Sequence, residues 1–291
     1  MRSSLRGGAL RSSRAGHEHI THKATSIVLT RCSSIIAPRL TTLINCSLAQ
    51  GAVPDTFKVS RISPLFKSGD PASARNYRPV SLLPIISRIL EHFVKHQLTA
   101  FLDQHDLMPP TQFAYRKSHS TEDALVLATN RWMMAKSERL HTGIILVDMS
   151  KAFDRVQHAR LIQVLFDLGI GGPPLLWFCS YLSSRKQYVY SRDQSSQPSP
   201  CSRGVPQGSV LGPLLFILYT SSMHSILPSV IHHQEFADDI MFDFSDKDPA
   251  VVCTTLSNAV TLLAQCCCCC CCLFSVVHKQ ARMPHYMRRL Q

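Results

Sequence analysis

The 291-residue sequence is short of acid: 19 Asp and Glu stand against 31 Lys and Arg, a formal net charge of +12. Such an excess has two readings, a basic soluble protein or a protein whose partner is a polyanion, because counterion release favours basic surfaces on nucleic acid. Long apolar runs are missing too. The longest, Val210 to Tyr219, contains Gly212 and Pro213 and is about half the roughly 18–20 residues that a bilayer span needs. It reads as a core helix, and no membrane partner is expected. A disulfide framework is also absent. Of the 12 cysteines, seven form the run Cys266–Cys272, while Cys32, Cys46, Cys179, Cys201 and Cys253 are scattered without zinc-ligand spacing. They read as reduced thiols in an intracellular protein, with nucleus and cytoplasm unresolved. The hydrophobic share of 45% suffices for a buried core, and the length suits one large or two small domains.

The chain is organised around Gln234 to Phe242, where Asp238 and Asp239 stand side by side within an alternating apolar stretch, Phe236, Ile240, Phe242 and Phe244. A period of two reads as strand, with the acidic pair at or near a hairpin turn. Two acids held near a core repel each other and lose hydration, so they call for a compensating cation. A third acid ends the apolar run Gly143 to Asp148, which reads as a buried strand. An acid at a strand end beside an acidic hairpin can hold two Mg²⁺ ions about 3.5–4 Å apart, a clamp for phosphoryl transfer.

Five segments, in order, carry a resemblance: Asn76 to Leu83, Gln112 to Thr121, Asp148 to Phe153, Gly204 to Phe216, and Phe236 to Asp239. Together they resemble the finger and palm motifs of reverse transcriptases, more narrowly those of non-LTR (LINE-type) retrotransposons, over about residues 35–265. The resemblance implies an α/β (α+β) palm-and-fingers fold with a small antiparallel sheet, and RNA-directed addition of deoxynucleotides to a primer. It implies that Asp148, Asp238 and Asp239 hold Mg²⁺, or Mn²⁺ in its place. Asp239 has a second reading, since neighbouring strand residues point to opposite faces: it supports the turn or meets the primer end. By the same resemblance Lys67 and Arg78 close on the triphosphate, as a point charge and a bidentate fork. Phe153 packs beneath the sugar and excludes a 2′-hydroxyl, while also reading as a core residue. Gln207 and Gly208 lie under the nascent pair, and Arg116 and Lys117 face template phosphate. The implied partners are an RNA template, a DNA primer and deoxynucleoside triphosphates, with no obligate protein partner.

The remaining elements follow from periodicity. Ser33 to Gln50 reads as a helix closed by Gly51, and Val59 to Phe66 as a strand that Pro64 demotes to an edge. Pro84 to Gln104 reads as an amphipathic helix, and Ser120 caps another that runs to about Ala135. Ala114 stands where the family usually has glycine, which strains the backbone if φ is positive there. Glu91, His92 and His96 form a misordered zinc-hydrolase pattern, and the two histidines read as polar-face residues of the helix. Residues 1–32 form a basic leader with Arg2, Arg6, Arg11 and Arg14, which reads as disordered or translated flanking sequence, with a nucleic-acid arm or a resemblance to a transit peptide as the other readings. Fingers are expected over 33–142 and palm over 143–265. Residues 266–291 read as a cysteine run and an unmatched tail, with the thumb missing. The alternative function is a degenerate retrotransposon fragment that at most binds nucleic acid.

Overall fold

The computed structural model describes residues 31–149, 151–191, 194–221, 226–270 and 274–277. Nearly all of the expected basic leader, and the end of the tail, lie outside the described residues. The chain divides into two units, residues 1–50 and 51–291. The described element of the first is α1 (Ser33–Gln50), with the bounds its apolar spacing predicts. Pro38 removes one N–H from this helix, and the Thr42 hydroxyl donates to the Pro38 carbonyl at 3.1 Å.

The second unit opens with the hairpin β1 (Val59–Phe66) and β2 (Tyr77–Leu82), then α2 (Ile85–Gln104) and α3 (Thr121–Ser137). Strand β3 (His141–Met149) leads through the short α4 (Ala152–Arg155) to α5 (His158–Asp167) and α6 (Gly172–Leu182). Strands β4 (Arg185–Ser191), β5 (Gln194–Ser195) and β6 (Ser199–Cys201) precede α7 (Gly212–Thr220). The chain continues with β7 (His232–Phe236), β8 (Asp239–Asp246), α8 (Pro249–Cys270) and β9 (Phe274–Val277). Helix α3 starts on a full capping box: the Ser120 hydroxyl accepts from the Asp123 N–H, and the Asp123 carboxylate accepts from the Ser120 N–H.

Two small sheets result, giving the mixed α/β architecture that the sequence implies. The first has the order β2-β1-β4-β5, with β6 also on β4. Strand β1 is therefore not an edge along its whole length, which corrects the reading taken from Pro64. Its parallel pairing with β4 covers Val59 to Ile62 and stops before Pro64, which faces only Pro79 of β2. The missing proline donor falls where no second partner requires it.

The second sheet is antiparallel throughout, in the order β7-β8-β3-β9. On one face Ile145, Val147, Met149, Ile240 and Phe242 are buried; on the other Leu146 and Asp148 are exposed. Helix α8 lies against β3 and β8. Gly143 permits this approach, since a Cβ there would sit 2.5 Å from Leu256 and 2.6 Å from Val252. Helix α8 runs on into the cysteine run, and β9 pairs with Leu146 to Met149. A segment with no motif of its own is thereby built into the acid-bearing sheet.

Helix α7 is buried along its length, with Leu215, Phe216, Ile217 and Leu218 at 0% exposure. Helix α3 is tied to the acidic sheet by a two-pronged ion pair: Nε and Nη2 of Arg131 both donate to the carboxylate of Asp243, a β8 residue only 1% exposed. Removing one partner of such a pair leaves a desolvated charge. Arg131→Met should therefore lower unfolding stability by about 3 kcal/mol, and Arg131→Met/Asp243→Asn should regain most of it. Urea unfolding of the three proteins checks this; equal stability of the single and double variants would contradict it.

Candidate active site

The backbone of β3 and β8 carries two of the three acids to one place. Asp148 and Asp239 are directly opposed in the ladder, beyond the buried pair Val147 and Ile240. Opposed residues of an antiparallel pair share a face, so Asp148 and Asp239 both lie on the open side. Asp238 occupies the two-residue turn between Phe236 and Asp239. The strand-alternation argument against Asp239 does not apply, because Asp238 is in the turn rather than on the strand. The preceding turn residue, Ala237, has φ +58° and is only 8% exposed.

The carboxyl group of Asp239 is raised above the ordinary aspartate range, first by burial and then by the neighbouring Asp238 and Asp148. Asp239 thus feels the charge of both other acids through space. Among the described residues, no set of three acid, imidazole or thiol side chains closes into a ready-made ion site. The backbone gathers the carboxylates, while their side chains at a turn and at strand ends remain apart, as like charges do. The donor set nevertheless fits a hard divalent cation: oxygen ligands only, on an open face, with room for water and phosphate.

Helix α4 begins three residues after β3 ends and carries Phe153. Its ring stacks on Phe216 of the buried α7 at 4.8 Å and is half-buried. Its carbonyl accepts from the Val205 N–H at 2.9 Å, so α4 holds the loop that carries Gln207 and Gly208. That loop is also fixed to β2. The Gln207 carbonyl accepts from the Ser81 N–H at 2.6 Å, and Gly208, at φ +110°, has no room for a Cβ, which would lie 2.8 Å from the Ser81 carbonyl. At the far side of the loop, the Glu91 carboxylate accepts from the Val210 and Leu211 N–H groups at 2.7 and 3.1 Å, just ahead of α7. Burial raises the Glu91 carboxyl, and these two donors oppose the rise. Glu91 is 1% exposed while His92 and His96 are exposed, so the misordered zinc pattern does not converge.

The connector ahead of α3 is joined to the acidic hairpin. Phe113 donates to the Glu235 carbonyl and Glu235 to the Thr111 carbonyl, both at 2.9 Å. Ala114 does not take positive φ; Tyr115 does, at +58°, and burial, followed by the charge of Asp238, raises the phenol of its half-exposed ring. Arg116 donates through Nη1 to the Pro109 and Gln112 carbonyls at 2.8 and 3.3 Å, while Lys117 is exposed. Lys67 and Arg78 are exposed on the β1–β2 hairpin, where Lys67 donates its backbone N–H to the Asn76 carbonyl at 2.8 Å. The sequence reading passed over Glu91, Gln112 and Tyr115 as site neighbours. Their partners are distant in the chain, so no local pattern marks them.

The site is thus an acidic hairpin opposed to a strand-end acid, in a chain that also carries a glycine loop held to β2. The sequence matches the family of reverse transcriptases (RNA-dependent DNA polymerases) over residues 67–267. It is 31% identical over 232 residues to a probable RNA-directed DNA polymerase from transposon BS of Drosophila melanogaster, covering 77% of this chain and 26% of that protein. It is likewise 31% identical over 221 residues to the RNA-directed DNA polymerase from mobile element jockey of the same fly, covering 75% and 24%. The chain spans about a quarter of the length of these relatives. In fold it is similar to apo telomerase from Candida tropicalis, with TM-score 0.55 at 16% identity over 86% of this chain and 56% of that one. The chain belongs to the reverse transcriptase family, and its matched relatives are the polymerases of non-LTR retrotransposons.

One titration is accessible without substrate. Burial raises the Glu235 carboxyl to about 7, against the hydrogen bond from Gln112, which lowers it; His233 lies 3.9 Å away. The folded chain then holds a proton that the unfolded chain has released, so this group's contribution falls as pH rises from about 4.5 to about 7. Glu235→Gln should remove that fall. The stability difference between variant and wild type should grow across this window, by at most about 1.4 kcal/mol per pH unit. Denaturant unfolding at pH 4.5, 6 and 7.5 measures it, and a flat difference would show that Glu235 does not titrate there.

Proposed function

We propose that this chain is the catalytic centre of an RNA-directed DNA polymerase, which adds deoxynucleotides to a primer 3′-hydroxyl on an RNA template. The opposition of Asp148 and Asp239 across the β3–β8 ladder, with Asp238 in the adjoining turn, carries this reading. These three carboxylates hold Mg²⁺, with Mn²⁺ as a substitute. The chemistry supplied by a bound pair of such ions is a lowered pKa at the primer hydroxyl and neutralised charge at the α-phosphate.

The other residues position and select. Lys67 and Arg78 lie on an exposed hairpin and would reach the triphosphate as the fingers close. Phe153, stacked on Phe216, is a rigid wall against a 2′-hydroxyl. Gln207 and Gly208, held to β2, form a floor for the template–nucleotide pair. Lys117 offers a charge to template phosphate, joined by those Arg116 donors that its two backbone carbonyls leave over. The net charge of +12 favours a nucleic-acid partner. An intracellular setting belongs to the same reading.

Primer extension on an RNA template with Mg²⁺ tests the reading. Asp148→Asn and Asp238→Asn should each reduce extension by at least about 10²-fold while leaving the fold intact. Wild-type extension that survives both changes would remove the acids from the site, and a folded wild-type chain that extends no primer would leave only nucleic-acid binding. Phe153→Ala should raise ribonucleotide incorporation relative to deoxynucleotide. Unchanged sugar discrimination in single-nucleotide kinetics would assign the gate to another residue.

A further inference from the structure

We propose that Gln112 is a positioning residue for the acidic hairpin, holding the turn that carries Asp238 through hydrogen bonds to its backbone. The proposal rests on the polymerase reading above and adds a residue to it. Gln112 is 0% exposed, so it touches no substrate. Its Oε1 accepts from the Ala237 N–H at 3.0 Å and from the Ala114 N–H at 2.9 Å, and its Nε2 donates to Glu235 Oε2 at 3.2 Å. One side chain therefore joins the connector, the end of strand β7 and the residue next to Asp238.

Ala237 is the point that needs holding. It carries a side chain at φ +58°, in the region that glycine normally occupies. A residue there persists only where its surroundings over-determine it. Three backbone links set the frame: a parallel bridge between Gln112 and Glu235, and the bonds from Phe113 to Glu235 and from Glu235 to Thr111. The Gln112 amide supplies what the frame lacks, an acceptor aimed at the turn itself. An amide is required because the group must accept from two N–H groups and donate to a carboxyl at once. A carboxylate at this position would keep the acceptor, lose the donor and face Glu235.

Three proteins test this: Gln112→Met, Gln112→Glu, and the exchanged pair Gln112→Glu/Glu235→Gln. The exchange keeps the acceptor for both N–H groups and moves the donor to residue 235. Amide hydrogen exchange at Ala114 and Ala237 reads the clamp directly; primer extension, corrected for the active fraction, reads its consequence. Gln112→Met should speed exchange at both amides and lower kcat by about 10–100-fold. Nucleotide KM should stay within about twofold, because uniform binding is untouched. Gln112→Glu should be impaired in the same sense, and the exchanged pair should restore both readouts.

Unchanged amide exchange in Gln112→Met overturns the proposal, as does faster exchange with wild-type kcat, or a loss that the exchanged pair does not restore. Should Gln112→Met not fold, Gln112→Glu against the exchanged pair makes the same comparison. A wild-type chain that extends no primer removes the polymerase reading instead, and amide exchange alone then decides the clamp.

Discussion

The register between β3 and β8 is the constraint on which the rest depends. Ile145 faces Phe242 and Val147 faces Ile240, all four buried, and the next step along the ladder opposes Asp148 to Asp239. A slip of one residue would turn the buried side chains to solvent and the acids toward the core. The hydrophobic effect therefore sets the distance between two carboxylates that would otherwise repel. Burial of the apolar pairs offsets the cost of the desolvation, and then of the like-charge repulsion, that raise Asp239.

Around this ladder, buried polar groups connect elements that are remote in sequence. Glu91 on α2 receives the two N–H groups ahead of α7, and so anchors one side of the Gln207–Gly208 loop. Ser81 anchors the other side. Arg131 neutralises the buried Asp243 on the strand that bears Asp239. Each group is costly to bury alone and acceptable because a partner meets it. The result is an open acidic face whose neighbouring elements are tied together by paired polar groups.

Much of the architecture was legible in the residues. The period of two marked β8, the apolar run marked β3, and Ser120 marked the start of α3, because these signals are local. The readings that needed revision were those where a second strand or a distant loop takes part. Pro64 sits in a strand whose inner half has two neighbours, and Tyr115 rather than Ala114 takes the positive φ. Strand β9 was not legible, since Phe274 to Val277 resembles no motif and acquires its role by pairing with β3.

For the site the division is similar. Asp148, Asp238 and Asp239, the glycine loop and Phe153 stand out in the sequence, because acids and glycines amid apolar residues are chemically conspicuous. That Asp239 shares a face with Asp148 is a property of strand pairing. That Gln112 meets Ala237, and Glu91 meets Leu211, is decided by chain folding, since hydrogen bonds form between groups adjacent in space whatever their separation along the chain. The sequence by itself determined which chemistry the chain carries. Only the tertiary structure decided which side chains hold that chemistry in place, because positioning depends on burial and register, and both arise once the sheet has formed.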